Sequence, residues 1–233
     1  MTICVLLTVS GMGLLLWYIC EKIKGYTVRA VILKSLVSVL FIAVAVCAWY
    51  CSSGPLFGIF VVLGLVFGLL GDIWLDLKYV FPEKDEPFTY AGFAVFAVGH
   101  VLYISGMLQH FYEGGNGLYI IVPVVLAILM STGNAFLEKP MKLNFGKLKG
   151  IVIGYGVLLF TTMFLSGSLA ALHGWKETAL NLIFVGSILF ALSDLVLSGT
   201  FFGEGKDRPV DIALNYLSYY PAQFLIALSL LFV

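Results

Sequence analysis

Two aspartates stand inside apolar runs long enough to cross a bilayer: Asp72 in LFGIFVVLGLVFGLLGDIWL (56–75) and Asp194 in LNLIFVGSILFALSDLVLSG (180–199). A carboxylate in hydrocarbon costs about 3 kcal/mol or more, so such residues face a polar cavity and mark a site. Neither run needs an acid to fold or to span. Asp76 follows Asp72 by one helical turn on the same face and reads as solvated, close to the interface. Lys34, in RAVILKSLVSVL, is suited to snorkelling, to pairing with an aspartate or to meeting a phosphate. His100, with Tyr103 one turn on, stands in FAVFAVGHVLYISGM, and Tyr219 pairs at helical spacing with Gln223, as Tyr216 does with Tyr220. Asn134 and Asn181 are weaker candidates. The chemistry open to such a set is proton transfer, either acid/base catalysis or a proton relay.

Other chemistries fit less well. His110 and His173 fall in loops away from the acids, so a three-histidine zinc site is not expected beside them. Two aspartates and one histidine make a thin ligand set, and the reading is metal-free, with no cofactor. P-loop, GxSxG and HExxH motifs are absent from the sequence. Gly154-Tyr155-Gly156 reads as a helix-packing element. The four cysteines, Cys4, Cys20, Cys47 and Cys51, contain no CxxC; Cys47 and Cys51 share a helical face, which suits apolar packing. A disulfide from Cys4 to one of that pair requires two helix ends to meet.

The elements that must hold these residues are membrane helices. Of 233 residues 61% are hydrophobic and 11% charged, against roughly 25% charged in a soluble domain, and mean hydropathy is +1.04. Net charge is zero without a basic tail, so nucleic acid is not an expected partner. Apolar runs of about 20 residues suggest eight spans near 3–19, 32–50, 56–76, 88–109, 117–136, 150–167, 178–199 and 211–232. The N-terminal run lacks a basic leader and reads as the first span. Punctuation by Ser52-Ser53-Gly54-Pro55, Pro82, Pro87, 114–117 and 203–209 supports the breaks.

Eleven of the 13 Lys and Arg residues fall in odd-numbered loops (Lys206 among them), Lys34 opens span two on the same side, and Lys176 stands alone in an even loop. The positive-inside rule makes the odd loops cytoplasmic. The expectation is an all-α polytopic bundle, one integral-membrane domain over 1–233, eight transmembrane helices and both termini non-cytoplasmic. Asp72, Asp194, Lys34, Tyr216, Tyr219 and Gln223 then gather in the cytoplasmic half, with His100 and Tyr103 near mid-depth. A short internal repeat accompanies this. Gly71-Asp72-Ile73-Trp74-Leu75 is echoed by Ser193-Asp194-Leu195-Val196-Leu197, and His100 follows Asp72 by 28 residues as Gln223 follows Asp194 by 29. Spans 3–4 and 7–8 read as related parts of a four-plus-four duplication.

These motifs, in this order, resemble the YhhN family of integral membrane proteins. The carriers are Gly71-Asp72-x-x-Leu75, His100-x-x-Tyr103, Ser193-Asp194-x-x-Leu197, Tyr219-Tyr220-Pro221-Ala222-Gln223 and Lys34 at the start of span two. The resemblance covers the whole chain. Pro221 is a departure that would kink the last helix and shift Gln223 relative to Tyr219. The family includes lysoplasmalogenases, so the resemblance implies hydrolysis of the vinyl-ether bond of a lysoplasmalogen. The products are a fatty aldehyde and glycerophosphoethanolamine or glycerophosphocholine.

The residues suit that reaction. Vinyl-ether hydrolysis needs a carboxylic acid that keeps its proton and a second group to hold the cation and activate water. Apolar surroundings favour the neutral acid, and paired carboxyls divide such roles at glycosidic bonds. Asp72 and Asp194 are the expected pair, their roles unassigned, with His100, Tyr103, Tyr219 and Gln223 orienting water or the glycerol hydroxyl. Lys34 is expected to meet the phosphate or to tune an aspartate. The partners are then a lysophospholipid and the bilayer, and the basic asymmetry suits a bacterial inner membrane. The competing readings are a proton-coupled transporter or binder of lysolipid-like amphiphiles, and a metal-dependent lipid hydrolase.

Overall fold

A computed structural model describes every residue except 137 and 204–207; Lys206 and most of the 203–209 break lie outside the described residues. Eight helices follow one another: α1 (Thr2–Lys24), α2 (Val28–Tyr50), α3 (Pro55–Val80), α4 (Asp85–Phe111), α5 (Leu118–Phe136), α6 (Lys149–Leu172), α7 (Thr178–Phe202) and α8 (Pro209–Leu228). Their starts are written in the sequence. Thr27 caps α2 by accepting from the Ala30 N–H at 3.2 Å, and Pro55 and Pro209 open α3 and α8, where a missing N–H costs nothing.

Among the described residues, seven helices, α1 to α7, are long and apolar enough to cross a membrane. The last falls short of the eight expected from sequence because α8 carries Asn215, Tyr216, Tyr219 and Gln223 along one stripe. All four are buried, since α8 packs against α7, α2, α1 and α3. The helix runs unbroken through Pro221.

The connections sort to two ends. At one end Tyr26 stacks on Tyr79 with ring centroids 4.0 Å apart, Tyr90 donates to the Lys147 carbonyl at 3.0 Å, and the Asn144 N–H donates to the Phe202 carbonyl at 2.8 Å. At the other, the Ser53 N–H donates to the Val233 carbonyl at 2.8 Å and His173 meets the Phe111 carbonyl at 2.8 Å. The basic odd connections thus share one end of the bundle. All four cysteines are free.

Packing repeats between the halves. Helix α2 packs on α3 and α8 as α6 packs on α7 and α4, and the pairs α3–α4 and α7–α8 each form a tight hairpin. Both hairpins close at the same place, eight residues before an aspartate. A Cβ on Gly99 would stand 3.1 Å from the Gly64 carbonyl oxygen, and one on Gly186 would stand 3.0 Å from the Ala222 carbonyl oxygen. Backbone approach this close tolerates only small residues. It fixes the height of Asp72 against α4 and of Asp194 against α8.

Candidate active site

Polar residues one turn apart on each of three helices build the centre of the site. Helix α3 presents Asp72 and Asp76, α2 presents Lys34 and Ser38, and α1 presents Tyr18 and Lys22; all six are buried. The Lys34 ammonium lies 3.3 Å from Asp72 Oδ1 and 3.3 Å from Asp76 Oδ1. Asp76 also receives the Lys22 ammonium at 3.0 Å and Tyr18 at 3.4 Å. Asp72 Oδ2 accepts from Ser38 at 2.7 Å and from Tyr219 at 3.0 Å. Each buried charge has an opposite partner, the condition under which such a cluster survives desolvation.

Asp76 was expected to be solvated, yet it is 2% exposed. The reason is α1: Lys22, assigned by sequence to the first loop, lies in the last turn of α1 and covers it. Lys34 is committed between two carboxylates, with its ammonium 5.4 Å from the centre of the Tyr216 ring.

Asp194 is held differently. Tyr155 on α6 donates to its Oδ2 at 2.5 Å, and among the described residues no cation lies within ion-pair distance of it. Asp72 and Asp194 nevertheless line one cleft, with Lys34, Asp76, Tyr155, Asn215, Tyr216 and Tyr219 around them and an empty volume of about 450 Å³. A larger apolar groove of about 750 Å³ lies beside it between α5, α6 and α7, and Asn134 is on its wall. Cleft and groove share Phe93, Tyr155, Asp194, Leu197 and Phe201.

His100, Tyr103 and Gln223 are not on the cleft wall. The His100 ring sits behind Tyr155, 5.6 Å between centroids, and its Nδ1 is 3.0 Å from Thr162 Oγ1. Thr162 spends its proton on the Leu158 carbonyl at 2.9 Å, which assigns the hydrogen to Nδ1 and leaves Nε2 a lone pair. Among the described residues, that Nε2, the Tyr103 hydroxyl, the Ser187 hydroxyl and the Gln223 amide are buried without a hydrogen bond of normal geometry. Buried polar groups of this kind are satisfied by internal water. Tyr219 and Gln223 converge over Gly68, 3.8 and 3.3 Å from where its Cβ would be, so Pro221 does not part them. Among the described residues no group of three His, Cys, Asp or Glu side chains could hold a metal ion.

Residues 29–230, most of the chain, match the YhhN family. The chain belongs to the YhhN family. No curated protein and no solved structure matches it. The family match takes in both aspartates, Lys34, Ser38, Tyr155 and Tyr219, while Tyr18 and Lys22 precede it. Sequence reasoning missed Tyr18, Lys22, Ser38 and Tyr155 in this YhhN site. A signal existed for three of them: Tyr18/Lys22 and Lys34/Ser38 repeat the i, i+4 spacing of Asp72/Asp76 on neighbouring helices. Tyr155, between two glycines, carried none.

Proposed function

We propose that this YhhN protein is a membrane hydrolase that cleaves the vinyl-ether bond of lysoplasmalogens, with Asp194 as general acid and Asp72 as general base. The observation that carries the reading is the unequal pairing of two aspartates on one cleft: Asp72 lies beside an ammonium, and Asp194 has only a neutral hydroxyl. A carboxyl in apolar surroundings without a cation holds its proton, and one beside an ammonium stays ionised.

The reaction balances on these two groups. The Asp194 carboxyl gives its proton to the β-carbon of the vinyl ether, whose π electrons form the new C–H bond and leave an oxocarbenium ion. Water adds to that ion and gives a proton to Asp72, making a hemiacetal. The hemiacetal hydroxyl returns a proton to Asp194 as the bond to the glycerol oxygen breaks, and Asp72 protonates the departing oxygen. Aldehyde and glycerophospholipid headgroup leave, and both acids are restored. Tyr155 orients Asp194, and Tyr219 with Ser38 orients Asp72. His100, Tyr103 and Gln223, behind the cleft wall, offer hydrogen-bond sites for internal water that supplies the cleft.

The proposal includes eight spans, with α8 completing the set, and the basic end of the bundle facing the cytoplasm of a bacterial inner membrane. The cleft then lies near the headgroup layer on that side. The test is to incubate the purified protein in detergent with 1-alkenyl-lysophosphatidylethanolamine and with its 1-acyl analogue. Fatty aldehyde from the alkenyl lipid alone is the expected result. Fatty acid from the acyl lipid indicates an esterase. With folded protein and neither product, the hydrolase reading fails, and proton-coupled transport in proteoliposomes becomes the measurement to make.

A further inference from the structure

The apolar groove beside the acid cleft meets it at Tyr155 and Asp194 and is the larger of the two spaces. Its back wall is α6 (Val152, Gly156, Leu159, Phe160), and its sides come from α5 and α7. Helix α6 packs against both α5 and α7, so the groove follows α6 and is open on the side away from it. Rim residues Leu195 and Met141 are 41% and 37% exposed.

The groove is closed at the basic end. The segment after α5 is tied down there: Leu143 bridges Gly203, the Asn144 N–H donates to Phe202, and Phe145 packs edge-on against Phe202 at 4.9 Å. Glu138, bonded to Lys149 at 2.8 Å and to the Phe145 N–H at 2.9 Å, secures the other side of the segment. The other continuation is inward, through Tyr155 and Asp194, into the acid cleft.

We infer that this groove is the binding site for one aliphatic chain of the substrate, reached sideways from the bilayer between α5 and α7. The inference rests on the hydrolase reading for what the chain is attached to, but not for the site itself. Three observations point to that occupant. The lining is almost wholly apolar, the mouth is on the face that a membrane would cover, and the inner end is continuous with the carboxyl proposed to act on the first carbons of such a chain. With one chain seated there, α5, α6 and α7 are the elements that select single-chain over double-chain lipids.

The probe is a lysophosphatidylethanolamine carrying a diazirine midway along its chain, photolysed with the full protein in nanodiscs and mapped by peptide mass spectrometry. The expected labels fall on 131–160 and 191–202. A competing lysolipid should suppress them, and a diacyl phospholipid at equal concentration should not. Ala191→Phe, which fills the groove, should cut this labelling about tenfold, the equivalent of losing contact with a few methylenes. Leu195→Trp at the rim, on an exposed position, serves if Ala191→Phe does not fold. Leu126→Trp, on the outward face of α5, should leave labelling unchanged. Labels on the outer faces of α1 and α2, or equal competition by the diacyl lipid, would overturn the inference. Because labelling needs no turnover, an inactive protein that labels in the groove sinks the hydrolase reading alone. An active protein that labels elsewhere sinks the groove alone.

Discussion

Lys34 and Tyr155 hold equivalent positions in the two halves of the bundle. Asp72 follows Lys34 by 38 residues and Asp194 follows Tyr155 by 39, and each donor reaches its aspartate from the second helix of its half. One donor is a cation and the other a neutral phenol. A repeated packing framework thus delivers two carboxyls to one cleft, and the halves differ in the charge of the donor that each carboxyl meets.

If the aspartates carry the reaction, Asp72→Asn and Asp194→Asn each lower kcat by about 10²–10⁴, with wild-type elution and helicity. Tyr155→Phe, which keeps the ring and removes the bond to Asp194, should give a smaller loss. Aldehyde release under saturating alkenyl lysolipid is the measurement. Wild-type turnover in either Asn variant removes that residue from catalysis.

Lys34→Met leaves Asp72 without a cation and Asp76 with Lys22 alone. Breaking a buried ion cluster in this way costs about 3–5 kcal/mol. Adding Asp72→Asn, which removes the carboxylate left without a cation and keeps the Asp76–Lys22 pair, should restore part of it. Unfolding in mixed micelles measures both. A Lys34→Met variant of normal stability with a raised KM would instead give the ammonium to the substrate phosphate.

Gly99→Ala brings a methyl group to 3.1 Å from a backbone oxygen of α3, which cannot rotate away. A loss of about 1–3 kcal/mol is expected, together with reduced turnover, because the α3–α4 contact fixes the height of Asp72. Gly13→Ala, which meets nothing within 4 Å, should be neutral or slightly stabilising. Equal effects of the two substitutions would show that the hairpin contact does not matter.

The clasp on the 138–149 segment has a defined pH sense. The bond from Lys149, and after it the Phe145 N–H, hold the Glu138 carboxyl below its ordinary value of 4.5. A depressed carboxyl contributes its stabilisation above the unfolded value and loses it as pH falls through the lowered one. The protection factor of the Phe145 amide should therefore hold from neutral pH down into the carboxylate range and drop only in stronger acid. In Glu138→Gln it should be low throughout. A drop that begins near neutrality would point to a different group.

The helices and their breaks were legible in the sequence because apolar runs of this length have few other uses. Pairing of Lys34 with an aspartate was one of three readings its sequence left open, and helical spacing put Tyr219 and Gln223 on one face, although Pro221 was expected to part them. Asp76 was misread because depth was judged along α3 alone, and the chain that covers it comes from α1, 54 residues away. Tyr155 was unreadable for a similar reason. A tyrosine between glycines looks like packing until the neighbouring helix puts a carboxyl against it. Such side-to-side neighbours depend on how each helix is rotated about its axis, which one sequence does not state.

The inward polar stripe of α8 also bears on how the protein is made. A segment whose hydropathy is lowered by Asn215, Tyr216 and Gln223 partitions poorly into lipid by itself, and two polar side chains of the stripe, Asn215 and Tyr219, find hydrogen-bond partners on helices synthesised earlier. Ser193, on α7, receives Asn215 at 2.9 Å, and Asp72, on α3, receives Tyr219. With α8 as the proposed eighth span, its insertion and the completion of the cleft are one event during biogenesis, and a chain halted short of α8 would leave Asp72 without Tyr219.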